Sequence, residues 1–359
     1  MSNKPICTTD TPDPWVVAAN NNFYLTFTLG DRIEIWQSPH LENFKNCRKS
    51  IIWHPPPGSP WSADIWAPEL HRLDGIWYIY TCATQPGAGN PGHRTVLLKS
   101  WKSDPMDPTG WSFLGPLKGM PDHWAIDATV FTANGNDLYC CWSGWPLGDY
   151  SDTQQDLFLI KMSSPEEAVA DTMVCISKAD QSWERPDHGQ RGVNEGPTWV
   201  DFQGFRGIVY SAHGSWTSEY KLALLALVGD DPLRADSWVK RQEPPLVSGR
   251  NGNGPFGPGH ASFLPSPYND GRIFCIYHGT DKWGEGWKNR KARVVNLGPQ
   301  SFAYDASPVC CAYQEESPEM FASDARKKLE VTIGKTVKHA PAQVRGQLQG
   351  MLDKAKKLF

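Results

Sequence analysis

Short apolar runs broken by Asn, Asp and Gly recur along the chain, and five stretches share one layout. They are "DPWVVAANNNFYLTFT" from Asp13, "APELHRLDGIWYIYT" from Ala67, "DATVFTANGNDLYCCWS" from Asp127, "EGPTWVDFQGFRGIVYS" from Glu195 and "GHASFLPSPYNDGRIFCIYHG" from Gly259. Each opens on a polar or small residue and runs through a short apolar segment. It then turns at an Asn/Asp/Gly cluster and closes on a β-branched or aromatic run. That is a β-hairpin pattern. The openings lie 54, 60, 68 and 64 residues apart, which leaves room for two more strands in each interval. Four-stranded units repeated around an axis make a β-propeller. The pattern therefore predicts an all-β fold, a five-bladed β-propeller over residues 1–313.

In a propeller the innermost strand of each blade lines the central channel, so equivalent positions converge at one mouth. The shared opening position carries Asp13, Asp127, Glu195 and, one residue in, His260. The second repeat offers Trp66-Ala67-Pro68-Glu69 there instead. Polar residues also favour strand ends for structural reasons alone. Three carboxylates and a histidine in register nevertheless point to a site.

After Tyr313 the pattern changes. Residues 314–359 form a separate tail, and from Ser323 onward it holds nine Lys/Arg against three Asp/Glu. Val344, Leu348, Met351, Leu352 and Phe359 fall near helical spacing, which predicts a short amphipathic helix. Packing on the domain, solvation in water and an acidic or membrane-surface partner are all compatible with that composition.

The net charge of −4 gives no global field for nucleic acid. No apolar stretch reaches the roughly 20 residues needed to span a bilayer. The start "MSNKPICTTDTPDPW" lacks the apolar segment of a secretory signal, and none of the 15 asparagines lies in an Asn-X-Ser/Thr sequon. Both point to an intracellular protein; a leader trimmed from the chain would remove only the first indication. The nine cysteines include the adjacent pairs Cys140-Cys141 and Cys310-Cys311 but no CxxC, so buried free thiols are expected.

Two apparent motifs carry no chemistry. "GNGPFG" at 252–257 matches GxGxxG, but Pro255 and Pro258 interrupt it and "GHASFL" reads as a strand, so it is a loop leading to His260. Asp149, Asp152 and Asp156 lack the Gly and terminal Glu of a calcium loop and read as a solvated loop. Neither GxSxG nor HExxH occurs.

Paired carboxylates suit hydrolysis of a glycosidic bond. One protonates the leaving oxygen while the other activates water, provided that their environments separate their pKa values. Trp15, Trp61, Trp66, Trp124, Trp145 and Trp199 can stack on sugar faces, although most of the 17 tryptophans must pack the blades. Trp15, Trp66 and Trp145 are the substrate-binding candidates.

The stretches "DPWVV", "DIWAPELH", "GIWYIYTCA", "AIDATVF", "VNEGPTWV" and "GPGHASF" occur in order across residues 10–313. In this the chain resembles glycoside hydrolase family 43, the five-bladed propeller arabinofuranosidases and xylosidases. "WAPELH", "AIDATVF" and "GPGHASF" look most like the exo-acting α-L-arabinofuranosidases. The resemblance implies Asp13 as general base, Asp127 as the residue that orients the acid and tunes its pKa, and Glu195 as general acid. It places His260 near the channel axis, beside a water or structural ion, and brings an arginine from the last blade to the pocket; Arg293 is the candidate, with Arg290 nearby. It implies inversion, no required cofactor or catalytic metal, an arabinose-containing oligosaccharide or polysaccharide as substrate, and a monomer. A β-D-xylosidase on the same scaffold and a carbohydrate-binding propeller without turnover remain the alternatives. Family members usually carry a secretion signal, and the basic tail is outside the family pattern.

Overall fold

The computed structural model describes residues 4–241, 246–247, 254–266 and 270–303, with the backbone alone at 309–310. The predicted boundary at 313 and the helical tail over 314–359 lie outside the described residues. The fold is an all-β, five-bladed propeller. The first sheet holds β1 (Trp15–Ala19), β2 (Asn22–Thr26), β3 (Ile33–Ser38) and β4 (Arg48–Trp53). The second holds β5 (Ala63–Leu73), β6 (Ile76–Thr84), β7 (Arg94–Ser100) and β8 (Trp111–Pro116). The third holds β9 (Ala125–Ala133), β10 (Asp137–Gly144) and β11 (Gln154–Ser164), with β12 (Glu167–Ala168) and β13 (Val174–Ser177) at its edge. The fourth holds β14 (Gly192–Phe202), β15 (Phe205–Ala212) and β16 (Lys221–Leu227), edged by β17 (Trp238–Lys240) and β18 (Leu246–Val247). The fifth holds β19 (Phe256–Pro265), β20 (Ile273–Thr280) and β21 (Lys291–Leu297); β22 (Val309–Cys310) pairs with β18. The first strands β1, β5, β9, β14 and β19 contact one another in turn, and β19 returns to β1.

The middle strands read as continuous apolar runs because both of their faces are covered. In β6, Ile79 points to the seam with the first sheet and Tyr80 to the seam with the third. In β15, Ile208 and Tyr210 face the third sheet while Val209 faces the fifth. This is the two-residue alternation of a strand, applied to two cores at once. Cys140 and Cys141 obey it as well, one in each seam. The seven cysteines whose side chains are described are free thiols, five of them buried.

The ring closes through the N-terminal segment. The Ile6 N–H donates to the Ala292 carbonyl at 2.9 Å, and Thr11 accepts from the Ala292 N–H through its hydroxyl at 2.8 Å. Ile6 and Cys7 join Leu25, Phe27, Phe274, Ile276 and Val294 in the core between the last and first sheets. From there the chain runs directly into Asp13.

The pattern opens each repeat on a polar or small residue, but in four sheets the first strand begins two to four residues before that position. The position in question is a bulge within the strand, with register shifts at Trp66–Glu69, Ile126–Thr129, Glu195–Thr198 and Gly259–Ser262. At or just after the shared position every sheet has a left-handed residue: Asp13, Ala67, Asp127, Gly196 and His260, with φ of 55°, 44°, 55°, 55° and 46°. Such a bulge takes backbone groups out of the ladder and re-aims the side chain. In four of the sheets the N–H of the left-handed residue donates to a side chain of the preceding sheet. Ala67 donates to Thr28 Oγ1 (2.7 Å), Gly196 to Asp127 Oδ2 (3.0 Å), His260 to Ser211 Oγ (2.7 Å) and Asp13 to His278 Nδ1 (3.0 Å). A buried N–H without an acceptor costs about 1–3 kcal/mol, so each bond ties one sheet to the next.

Ser211→Ala removes one such acceptor at a fully buried site. It should lower the unfolding free energy by about 1–3 kcal/mol, read from the denaturation midpoint. A midpoint equal to that of the parent would show that the bond contributes nothing to holding the sheets together.

Candidate active site

The five left-handed positions surround one end of the channel, where a cavity of about 780 Å³ opens. That volume is in the range of small-molecule sites. Asp13, Asp127, Glu195 and His260 all line it, as the repeats predict. Three sheets thus contribute a carboxylate and a fourth contributes the imidazole. The fifth contributor, at Ala67, carries no polar side chain and leaves Trp66 to form the wall.

Asp13 is held on several sides. Its Oδ2 accepts from the Thr28 hydroxyl at 2.7 Å, and that hydroxyl is oriented by accepting the Ala67 N–H. Its Oδ1 lies 3.3 Å from His260 Nδ1 and 3.6 Å from Arg290 Nη1. His260 Nδ1 is also 4.0 Å from Asp127 Oδ2, so the imidazole bridges two carboxylates. Tyr220 lies beside Glu195. The Tyr220 ring lies stacked 5.7 Å from that of His278, directly over Gly259, where a Cβ would come within 2.0 Å of it. Gly196 must also be glycine: its φ is left-handed and a Cβ would meet the His260 ring at 3.1 Å.

The surroundings separate the carboxyls. Burial pushes the Glu195 carboxyl up, and the neighbouring Asp127 charge pushes it further, to about 7. Asp127 is also raised by burial, against the pull of His260 and with the push of Asp13. For Asp13, burial acts upward, but Arg290 and His260 overcome it and hold the carboxyl well below its ordinary value. Burial lowers His260, yet Asp127 and Asp13 more than reverse this and raise it to about 9. His278, buried and close to Arg290, falls to about 4 and stays neutral. At neutral pH the cavity therefore offers an ionised carboxylate beside a cationic imidazole, and a carboxyl able to carry a proton.

Three of the substrate-binding expectations need correction. Trp15 lies between the first and second sheets, with its Nε1–H bonded to the Leu70 carbonyl at 2.9 Å and its ring 4.8 Å from that of His71. Trp145 is buried behind the wall, stacked at 4.8 Å on Trp124, which is the ring that faces the cavity. Arg293 is fully buried and paired with Asp281 at 2.6 Å; the arginine at the cavity is Arg290. Strand alternation accounts for the last case: Arg293 belongs to β21 and follows its inward face, whereas Arg290 precedes the strand. Trp66 does line the cavity, backed by His93 with ring centroids 3.9 Å apart.

The inserts between strands form much of the rim. "CATQPGAGNPGHR" brings Asn90 and "SGWPLGDYSDTQQD" brings Asp152 and Gln155. "HPPPGSPWSAD" contributes no lining residue; its Trp61 packs on the core between the first two sheets. The aspartates read as a solvated loop are not uniform. Asp152 pairs with Arg191 at 2.7 Å, and Asp156 is buried, accepting from the Ala179 N–H at 2.9 Å. No repeat register or motif marks Thr28, Tyr220 or the rim pair Trp216 and Trp287, and the sequence does not single them out.

Residues 2–305 match the family described as Glycosyl hydrolases family 43. The chain is similar to alpha-L-arabinofuranosidase 43 of Humicola insolens, with 31% identity over 271 residues, 74% of this chain and 54% of that protein. It is also similar to the extracellular exo-alpha-(1->5)-L-arabinofuranosidase of Streptomyces chartreusis, with 30% identity over 263 residues, 72% of this chain and 76% of that one. Among solved structures it resembles an alpha-L-arabinofuranosidase from Lactobacillus brevis, at a TM-score of 0.74 and 27% identity, covering 85% of this chain and 97% of that chain. The chain spans about half the length of the Humicola insolens relative.

NMR of isotope-labelled glutamate should show the Glu195 carboxyl titrating at about 7. Because Asp127 contributes to that rise, Asp127→Asn should move the titration to lower pH. An unmoved titration would leave burial as its sole cause.

Proposed function

Since the chain belongs to glycoside hydrolase family 43, we propose that it is an inverting, exo-acting α-L-arabinofuranosidase that removes terminal arabinofuranosyl residues from arabinan or arabinoxylan oligosaccharides. The observation that carries this reading is the opposed protonation of two carboxyls lining one cavity, Glu195 raised to about 7 and Asp13 held low. Inverting glycoside hydrolysis needs that pair.

In this reading Glu195 protonates the glycosidic oxygen as the bond to the anomeric carbon breaks. Asp13 removes a proton from the water that attacks the opposite face of that carbon. The turnover leaves Asp13 protonated and Glu195 ionised, and exchange with solvent restores both. Thr28 and His260 keep the Asp13 carboxylate oriented. Asp127 raises Glu195 by its charge and, through Oδ2, anchors the Gly196 N–H next to Glu195. Arg290 at the cavity is placed to donate to sugar hydroxyls, and Trp66 and Trp124 offer ring faces. Side chains supply both acid and base, so the reaction as read here needs no cofactor. The inserts that raise the rim give the cavity the form of a pocket for one chain end, which supports exo action. The arabinofuranosidases among the similar proteins support arabinose over xylose.

Glu195→Ala and Asp13→Asn should each lose about 10²–10⁴-fold in turnover while the fold is retained, measured as arabinose release from a linear arabinan oligosaccharide. Near-parental release by Glu195→Ala would refute its role. Activity should fall as pH rises through about 7, where Glu195 loses its proton. The acid limb, set by Asp13, should lie below the ordinary aspartate range. In Asp127→Asn the basic limb should move to lower pH.

NMR of the first-formed sugar should show the inverted anomer, and an aryl α-L-arabinofuranoside should be cleaved in preference to an aryl β-D-xyloside. A retained anomer would remove Asp13 as the water-activating base. A xyloside preference would make the chain a xylosidase, and internal cleavage of arabinan would rule out the pocket.

A further inference from the structure

Two tryptophans at the rim of the cavity are left unused by the chemistry above. Trp287 is 62% exposed, an unusual state for an indole. It is nevertheless fixed, because its Nε1–H donates to Ser215 Oγ at 3.0 Å and its ring meets that of Trp216 edge-on, with centroids 6.2 Å apart. Trp216 is half-buried and itself braced. The Arg191 guanidinium lies 5.0 Å over its ring, Asp152 holds Arg191 at 2.7 Å, and the Trp216 Nε1–H points at Asp187 Oδ1, 3.5 Å away. Loops of the third, fourth and fifth sheets are thereby joined into one side of the cavity mouth. Trp101 and Trp283 are as exposed but do not line the cavity. An immobilised apolar face held open to water at a pocket rim is a prepared surface for a ligand, since the entropy of ordering it has already been spent.

Its position indicates which part of the ligand it takes. Ser215 and Trp216 belong to the segment between β15 and β16, which ends at Tyr220, the side chain beside Glu195. Glu195 is the proposed proton donor to the leaving oxygen, so the group on that oxygen must extend along the Glu195 side of the cavity. Asp13, at the water side, is held by Thr28 and by Arg290 at the end of the segment that carries Trp287. We infer that Trp287 and Trp216 form the platform for the sugar ring carrying the leaving oxygen, the neutral pentose next to the residue being removed. The indole face covers the C–H face of that ring, and Asp187 and Asp152 at the edge accept from its hydroxyls. This inference rests on the arabinofuranosidase reading and deepens it: the platform makes the enzyme prefer an arabinosyl chain over a terminal residue linked to a small alcohol.

The test compares kcat/KM for arabinobiose and for methyl α-L-arabinofuranoside in the parent, Trp287→Ala and Trp287→Phe. The methyl group cannot span the platform, so the ratio of the two values isolates it. In Trp287→Ala the ratio should fall about tenfold, chiefly through KM for arabinobiose, and Trp287→Phe should recover most of it because a ring face is retained. A parent that releases arabinose from both compounds, with a ratio unchanged in Trp287→Ala, overturns the platform alone. A parent that releases arabinose from neither overturns the arabinofuranosidase reading, and the platform with it. Thermal unfolding of both variants should match the parent, which keeps a lost ratio from being read as lost fold.

Discussion

Four backbone N–H groups at the inner ends of the sheets hold this structure in its working form. Each belongs to a left-handed residue, three at bulges within a first strand and Asp13 just before β1, and each donates to a side chain of the sheet before it: Thr28, Asp127, Ser211 and His278. A left-handed conformation at a residue other than glycine costs of order 1 kcal/mol or more. The bonds across the sheets offset that cost. Because the left-handed backbone also re-aims the side chain, the same device turns Asp13, Asp127 and His260 into the cavity. Two of the four acceptors, Thr28 and Asp127, themselves line the cavity, and a third, His278, lies 3.4 Å from Asp13 Oδ1, so the geometry of the ring and that of the carboxylates cannot be adjusted separately.

Electrostatics in the cavity follow from that convergence. Three carboxyls brought together under cover could not all ionise. The protein resolves this by placing the His260 imidazole between Asp13 and Asp127, with Arg290 also at Asp13, while Glu195 is paired with no cation. Asp13 therefore takes most of the cationic stabilisation and stays ionised, while Glu195 receives burial and a negative neighbour and keeps its proton. Acid and base behaviour thus arises from which blade supplies a cation and which does not.

The tryptophans divide by the same architecture. Trp15, Trp77, Trp142, Trp199 and Trp238 pack in the seams between sheets, where flat rings fill wedge-shaped gaps. Trp66, Trp124, Trp216 and Trp287 line the cavity, Trp66 from the bulge of β5, Trp124 from just before β9, and Trp216 and Trp287 from loops. Composition alone could not separate these groups: a Trp before a strand and a Trp within it look alike until the strand's starting point is known.

Hairpin layout and spacing were enough to read five blades and the convergence of Asp13, Asp127, Glu195 and His260 from the sequence, because alternation and turn residues are local properties repeated at near-constant intervals. Local properties could not reveal that the shared position is a left-handed bulge, because Ala67 and His260 are not residues that signal a positive φ. Nor could they choose Arg290 over Arg293 or Trp124 over Trp145. Those choices depend on which side of a strand faces the channel and on what the next sheet already occupies. Thr28 and Tyr220 were invisible for a related reason: a threonine and a tyrosine are ordinary strand residues, and only contact with Asp13 and Glu195 gives them a task. The sequence by itself determined the repeat, the sheets and the carboxylates. The tertiary structure decided the protonation, the wall and the rim, since these depend on distances between blades that no single repeat contains.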